Sequence, residues 1–169
     1  MTESPATDAV TLRPPRHLVS PRAILYWTTR AAAGWAVLVV TGVAALVVIP
    51  DAPRWLPWAL GAGLAVAVLH VAVMPQWRYR VHRWEVTSDA VYTQAGWLNQ
   101  ERRIAPTSRI QTVDTERGPL EQLFGLAKVT VTTASAAGPL EIHGLDHITA
   151  RRLADELTAT TQASPGDAT

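Results

Sequence analysis

Two long apolar runs, separated by five residues, constrain this chain more than any other feature. Residues 31–49 read AAAGWAVLVVTGVAALVVI, nineteen positions without a charge. At about 1.5 Å of rise per residue they make roughly 28 Å of helix, the thickness of one bilayer core. After PDAPR, residues 55–74 read WLPWALGAGLAVAVLHVAVM, in which His70 is the single ionisable group. Neither run shows the polar stripe of a surface helix, so lipid is the expected neighbour on most faces. A signal peptide fits poorly, because its apolar region is normally about 7 to 15 residues long. Here a second span follows at once, with no small-x-small cleavage site between the two. The pattern predicts a two-helix transmembrane hairpin over residues 23–78, with spans at 31–49 and 55–74.

Charge orients the hairpin. Arg13, Arg16, Arg22 and Arg30 precede the first run and Arg78, Arg80 and Arg83 follow the second, whereas the connecting loop holds Arg54 beside Asp51. By the positive-inside rule both termini are expected in the cytoplasm, making the chain a multi-pass protein of the cytoplasmic (inner) membrane. Tyr26, Trp27, Trp35, Trp55, Trp58, Trp77 and Tyr79 flank or enter the runs, as aromatic belts do. Gly34, Gly42, Gly61 and Gly63 offer close helix approach, or simply reflect membrane-helix composition. His70 lies one turn from the cytoplasmic end and reads as a neutral or snorkelling side chain rather than a proton relay.

Composition narrows the function. Zero cysteines exclude a disulfide scaffold, a thiolate zinc site and a cysteine nucleophile. Fifteen Lys+Arg against fourteen Asp+Glu leave +1, so no global basic field favours nucleic acid as a partner. No G-x-S-x-G, P-loop or G-x-G-x-x-G occurs, and no cofactor is expected. HGLDH at 143–147 imitates a zinc-peptidase signature. Its histidines share a face only on a helix, however, and Gly144 and Asp146 fall where a strand should end and a helix begin.

Outside the membrane, residues 1–22 and 162–169 read as disordered tails, and RPPRHLVSPRAILYWTTR (13–30) as an irregular juxtamembrane stretch. Residues 79–161 form the one soluble domain. Apolar alternation predicts strands near 81–86, 91–97, 99–105, 109–117, 128–133 and 140–143, with a period slip in the fourth that suggests a bulge. PLEQLFGL supplies a helical turn ended by Gly125, with Phe124 expected in the core. Leu145 and Asp146 act as staple and N-cap for a closing helix whose Ala150, Leu153, Ala154 and Leu157 form one apolar stripe. Six short strands and a helix in so few residues make a small β-barrel or sandwich with its open end covered.

The combination RWEVTSDAVYTQAGWL, RRIAPTSRIQTVDTERGPLEQLFGLAKVTVTTA and IHGLDHITARRLADEL, following two membrane helices, resembles the bacterial pleckstrin-homology (PH)-like membrane proteins of the YdbS-like family. The resemblance runs from Trp27 to Leu157 and implies an α+β membrane protein: a transmembrane hairpin, then a PH-like barrel with a C-terminal capping helix. It implies no catalytic residues. Phosphoinositide binding does not carry over, because the first hairpin turn, Thr87-Ser88-Asp89-Ala90, holds an acid and no base. The expected role is a non-enzymatic module that binds another membrane protein, or itself, beside the bilayer. The alternatives are an anionic-lipid sensor, with Arg78, Arg80, Arg83 and Arg102 facing membrane lipids, and an accessory subunit of a transporter that uses His70. For the arginines near Arg102, a solvated surface of mixed sign is the competing reading, since Glu101, Asp114, Glu116 and Glu121 are close in sequence.

Overall fold

The computed structural model describes residues 14–135 and 138–163. In chain order the elements are β1 (His17–Leu18), α1 (Arg22–Val48), α2 (Leu56–Val81), β2 (Arg83–Val86), β3 (Ala90–Gly96), β4 (Gln100–Pro106), β5 (Ile110–Glu116), α3 (Pro119–Leu123), β6 (Leu126–Thr133), β7 (Leu140–Asp146) and α4 (His147–Ala163).

Helices α1 and α2 pack side by side as a hairpin and are 27 and 26 residues long. At 1.5 Å per residue each is about 40 Å, some 10 Å more than a bilayer core needs. The most apolar stretch of α1 has no buried residue, and Val37, Leu38, Val40, Val66, Val68 and Leu69 are exposed on their helices. A core helix pair of a soluble protein would bury these side chains, so lipid is their solvent. Of the four glycines in the hairpin, Gly42 is the one the packing uses: a Cβ there would collide with Leu60 Cδ2, while Gly34, Gly61 and Gly63 face open space. His70 does not snorkel. The Trp35 indole donates to its Nδ1 at 3.0 Å, a cross-helix bond that makes this nitrogen an acceptor.

The extra helical turns lie on the barrel side and correct the expected boundaries. Residues 22–30 are regular helix rather than irregular chain, and α2 runs on to Val81, so the first strand after the membrane starts at Arg83. Residues 17–18 are not part of a disordered tail either. They pair with Arg83 and Trp84 as the outer strand of a four-stranded antiparallel sheet ordered β1-β2-β3-β4. A two-residue strand leaves no periodicity to read, which is why the sequence shows six strands and the described residues form seven. The tail expected at 162–169 begins inside α4; residues 1–13 and 164–169 lie outside the described residues.

The second sheet is antiparallel in the order β5-β6-β7, with the expected bulge between Ile110 and Thr112. Its β7 extends to Asp146, three residues past the predicted end, because Gly144 takes a φ of +76° at a second irregularity, opposite Ala127 to Val129, and lets the strand continue. Gly125, at φ +67°, ends α3 as anticipated. The two sheets enclose Val91, Val129, Val131, Ile142 and Leu145, and α4 closes the barrel with Ala150, Leu153 and Leu157. Asp146 caps α4 as its spacing predicted, its Oδ1 accepting from Ile148 N at 3.0 Å.

Leu157 is 1% exposed, so Leu157→Ala in the full-length protein in detergent micelles should cost about 2–5 kcal/mol in denaturant unfolding followed by tryptophan fluorescence. Substituting the exposed neighbour, Thr158→Ala, should stay within about 0.5 kcal/mol.

Candidate functional site

Where the membrane hairpin meets the barrel, the two are welded by one buried cluster. Val19, Ala23, Trp27 and Leu126 form it, with Tyr26, Tyr79, Trp84 and Phe124 packed around them. Ala23 and Trp27 are one turn apart on α1, so the helix presents both to β7. There Gly144 makes room: a Cβ would lie 3.0 Å from Ala23 Cβ and 3.5 Å from Trp27 Cζ2. Ser20 N donates to Gly144 O at 2.8 Å, and Arg22 pairs with Asp146 at 3.2 Å. Phe124 belongs here rather than in the barrel core. It meets Tyr26 edge-on at 6.3 Å and is half-buried, which lowers the cost of losing its ring below that of a core phenylalanine.

Trp27 also organises the end of α2. The Arg78 guanidinium lies over its ring at 4.7 Å and the His82 ring meets it at 5.0 Å. His82 is buried; its Nδ1 donates to Arg78 O at 2.8 Å while Arg78 Nε approaches its Nε2 at 3.4 Å. Burial first, and the Arg78 charge second, push the His82 pKa down to about 4, so the ring is neutral at pH 7.

The four arginines expected at a lipid surface therefore separate. Arg78 is a half-buried junction residue. Arg80 is exposed on α2, and Arg83 on β2 reaches back to Arg80 O at 3.5 Å. Arg102 sits on β4, in the row that runs from Arg83 through Gln94 to Arg102 across the sheet. Two strand spacings, about 10 Å, separate the ends of that row.

Arg102 instead lines a cleft of about 410 Å³ between β4, the outer strand of the first sheet, and the second sheet. Arg103 and Arg109 also line it, as do Glu101, Thr133 and Leu140. Arg103 bridges the two sheets by donating to Gly138 O at 2.9 Å and to Pro139 O, and it pairs with Glu101 at 3.5 Å. On the second sheet, Lys128 joins Glu116 at 2.8 Å and Glu141 at 3.3 Å, and His143 meets Glu141 at 3.0 Å. The Glu116 hydrogen bond is the main reason the Lys128 ammonium is held above its ordinary pKa. Acids and bases thus stand side by side on this side of the barrel. His143 and His147 fall on strand and helix respectively, so HGLDH does not form a two-histidine face.

Sequence reasoning missed β1 and the Trp27 junction. The signal for the junction was present: Ala23, Tyr26, Trp27 and Arg30 recur at helical spacing inside a segment whose prolines and arginines drew attention instead.

A transmembrane hairpin fused to a seven-stranded, two-sheet barrel with a capping helix defines a membrane-anchored PH-like protein. Residues 23–161 match the family described as Bacterial PH domain, and the chain belongs to that family. It is 31% identical over 156 residues to the UPF0699 transmembrane protein YdbS of Bacillus subtilis (strain 168), covering 90% of this chain and 97% of that protein. No solved structure matches it.

Two outcomes test the junction. Gly144→Ala places a Cβ at a left-handed φ and against Ala23, and should lower the thermal midpoint of the full-length protein, with Gly138→Ala, strained alike but facing open space, as the comparison. Because the folded pKa of His82 lies below its unfolded value of 6.5, the unfolded state takes up the proton first. Stability should therefore fall as pH drops from about 6.5 through about 4, and His82→Gln should flatten that part of a stability–pH curve.

Proposed function

We propose that this protein is a non-enzymatic, membrane-anchored PH-like module that docks another membrane protein, or a second copy of itself, at the cytoplasmic face. The observation that carries the reading is the cleft beside β4. An outer strand there offers backbone groups for pairing, and the cleft next to it is lined by cations and an acid together. A surface of both signs suits a polypeptide, whereas an anionic headgroup or nucleic acid favours one sign. Anchoring holds the cleft close to the bilayer and so concentrates it on partners that are themselves in the membrane.

Both termini belong in the cytoplasm, on the strength of the arginines flanking the spans. The bond from Trp35 to His70 supports a structural role for that histidine and weighs against a transporter subunit working through it.

A photoreactive amino acid at Arg102 or Ile104, both exposed on β4, should capture one stoichiometric protein, or a dimer of this chain, in native membranes. The double variant Arg102→Glu/Ile104→Lys should weaken the association by about tenfold, the size of one good interface contact. Crosslinks to lipid alone would overturn the reading. Since the chain has no cysteine, Ala52→Cys and Ser108→Cys report topology directly. A membrane-impermeant maleimide should label position 52 in intact cells and position 108 after permeabilisation alone.

A further inference from the structure

The hairpin that joins β3 to β4 does not point into water. Its turn, Gly96-Trp97-Leu98-Asn99, descends along α2: the Trp97 ring meets His70 at 5.5 Å, and Trp77 Nε1 donates to Trp97 O at 3.2 Å. His70 lies within the apolar run 55–74, so the turn reaches the depth at which hydrocarbon gives way to headgroups. Two features allow a turn at that depth. Gly96 has a φ of +122°, and a Cβ there would collide with Asn99 O; the Trp97 carbonyl is satisfied by the Trp77 indole rather than by water.

Between this turn and α2 lies a groove of about 300 Å³ lined by Val73, Trp77, Trp97, Leu98 and Gln100. Its volume is at the small end of ligand sites, roughly 300–1,000 Å³, and its walls are mostly apolar. Leu98, at its rim, is 84% exposed, the most exposed large apolar side chain among the described residues. One turn of α2 beyond Trp77, on the same helical face as Val73 and Trp77, stands the exposed Arg80. An apolar groove at bilayer depth beneath a cation at headgroup height matches an anionic amphiphile in both polarity and charge.

We propose that this groove is a binding site for one anionic phospholipid of the adjacent leaflet, with an acyl chain against Trp77, Trp97 and Leu98 and the phosphate at Arg80. The site is built by α2 together with the β3–β4 turn and shares no lining residue with the β4 cleft, so either assignment can fail without the other. Its consequence is mechanical: a bound lipid would add to the Trp77–Trp97 bond in holding the β3–β4 turn on α2.

The test uses full-length protein in nanodiscs of phosphatidylcholine and phosphatidylglycerol, doped with phosphatidylglycerol carrying a diazirine in its acyl chain. Peptide mapping should place the label on residues 73–77 and 97–100 well above the lipid-exposed Val37, Leu38 and Val40 of α1. Native mass spectrometry of the gently extracted protein should show one retained phosphatidylglycerol. Leu98→Asp, at a position 84% exposed, should abolish retention, and Arg80→Gln should reduce the preference for phosphatidylglycerol over phosphatidylcholine about fivefold. Labelling spread evenly over the apolar faces, or full retention by Leu98→Asp, would overturn the proposal. So would a disulfide-linked dimer of Leu98→Cys formed in native membranes, since it would place a second copy in the groove.

Discussion

Trp27 is the side chain on which the arrangement of the whole molecule turns. It is buried where a membrane helix leaves the bilayer, with Arg78 over its face, His82 against its side and Gly144 of the barrel beside its edge. Trp27 itself is on α1, and its contacts come from the end of α2 and from β7. A short flexible linker would leave barrel and hairpin free to reorient. Here the helix itself extends about 10 Å past the hydrocarbon and inserts its first turns into the domain that follows both spans.

That insertion explains the strand order. Since α1 starts against the barrel, the chain just before it must also pass along the barrel, and residues 17–18 use the passage to pair with β2. An otherwise open sheet edge is thereby covered. The Arg16–Glu85 ion pair, at 3.4 Å, fixes the same strand from outside. One edge of the first sheet is thus closed by the chain's own N-terminal segment, while the opposite edge at β4 stays available beside the charged cleft. The asymmetry sets the face that carries the anchor apart from the face that holds the charged cleft.

The four arginines that flanking charge groups together occupy different places in the structure. Arg78 and Arg83 turn toward the protein, and Arg102 belongs to the cleft. Arg80 keeps an exposed cation at headgroup height, and the apolar turn at Trp97-Leu98 approaches the bilayer from the barrel. Two adjacent apolar residues at a hairpin tip look out of place in a soluble β-domain; beside α2 they have a physical role.

The hairpin was legible from residues 31–49 and 55–74 because a bilayer demands a fixed length of uninterrupted apolar helix, and local composition meets that demand without reference to the rest of the chain. The bulge near Ile110, the stop at Gly125 and the Asp146 cap were legible for the same reason: each is a backbone requirement satisfied within a few residues. Tertiary structure alone decided that Phe124 packs on Tyr26, that Trp27 meets His82 and Gly144, and that Trp97 lies on His70. These contacts join residues 27 to 117 positions apart, where no period connects the partners. Packing selects among such pairings by shape and burial in the assembled fold, a choice that composition and spacing do not encode.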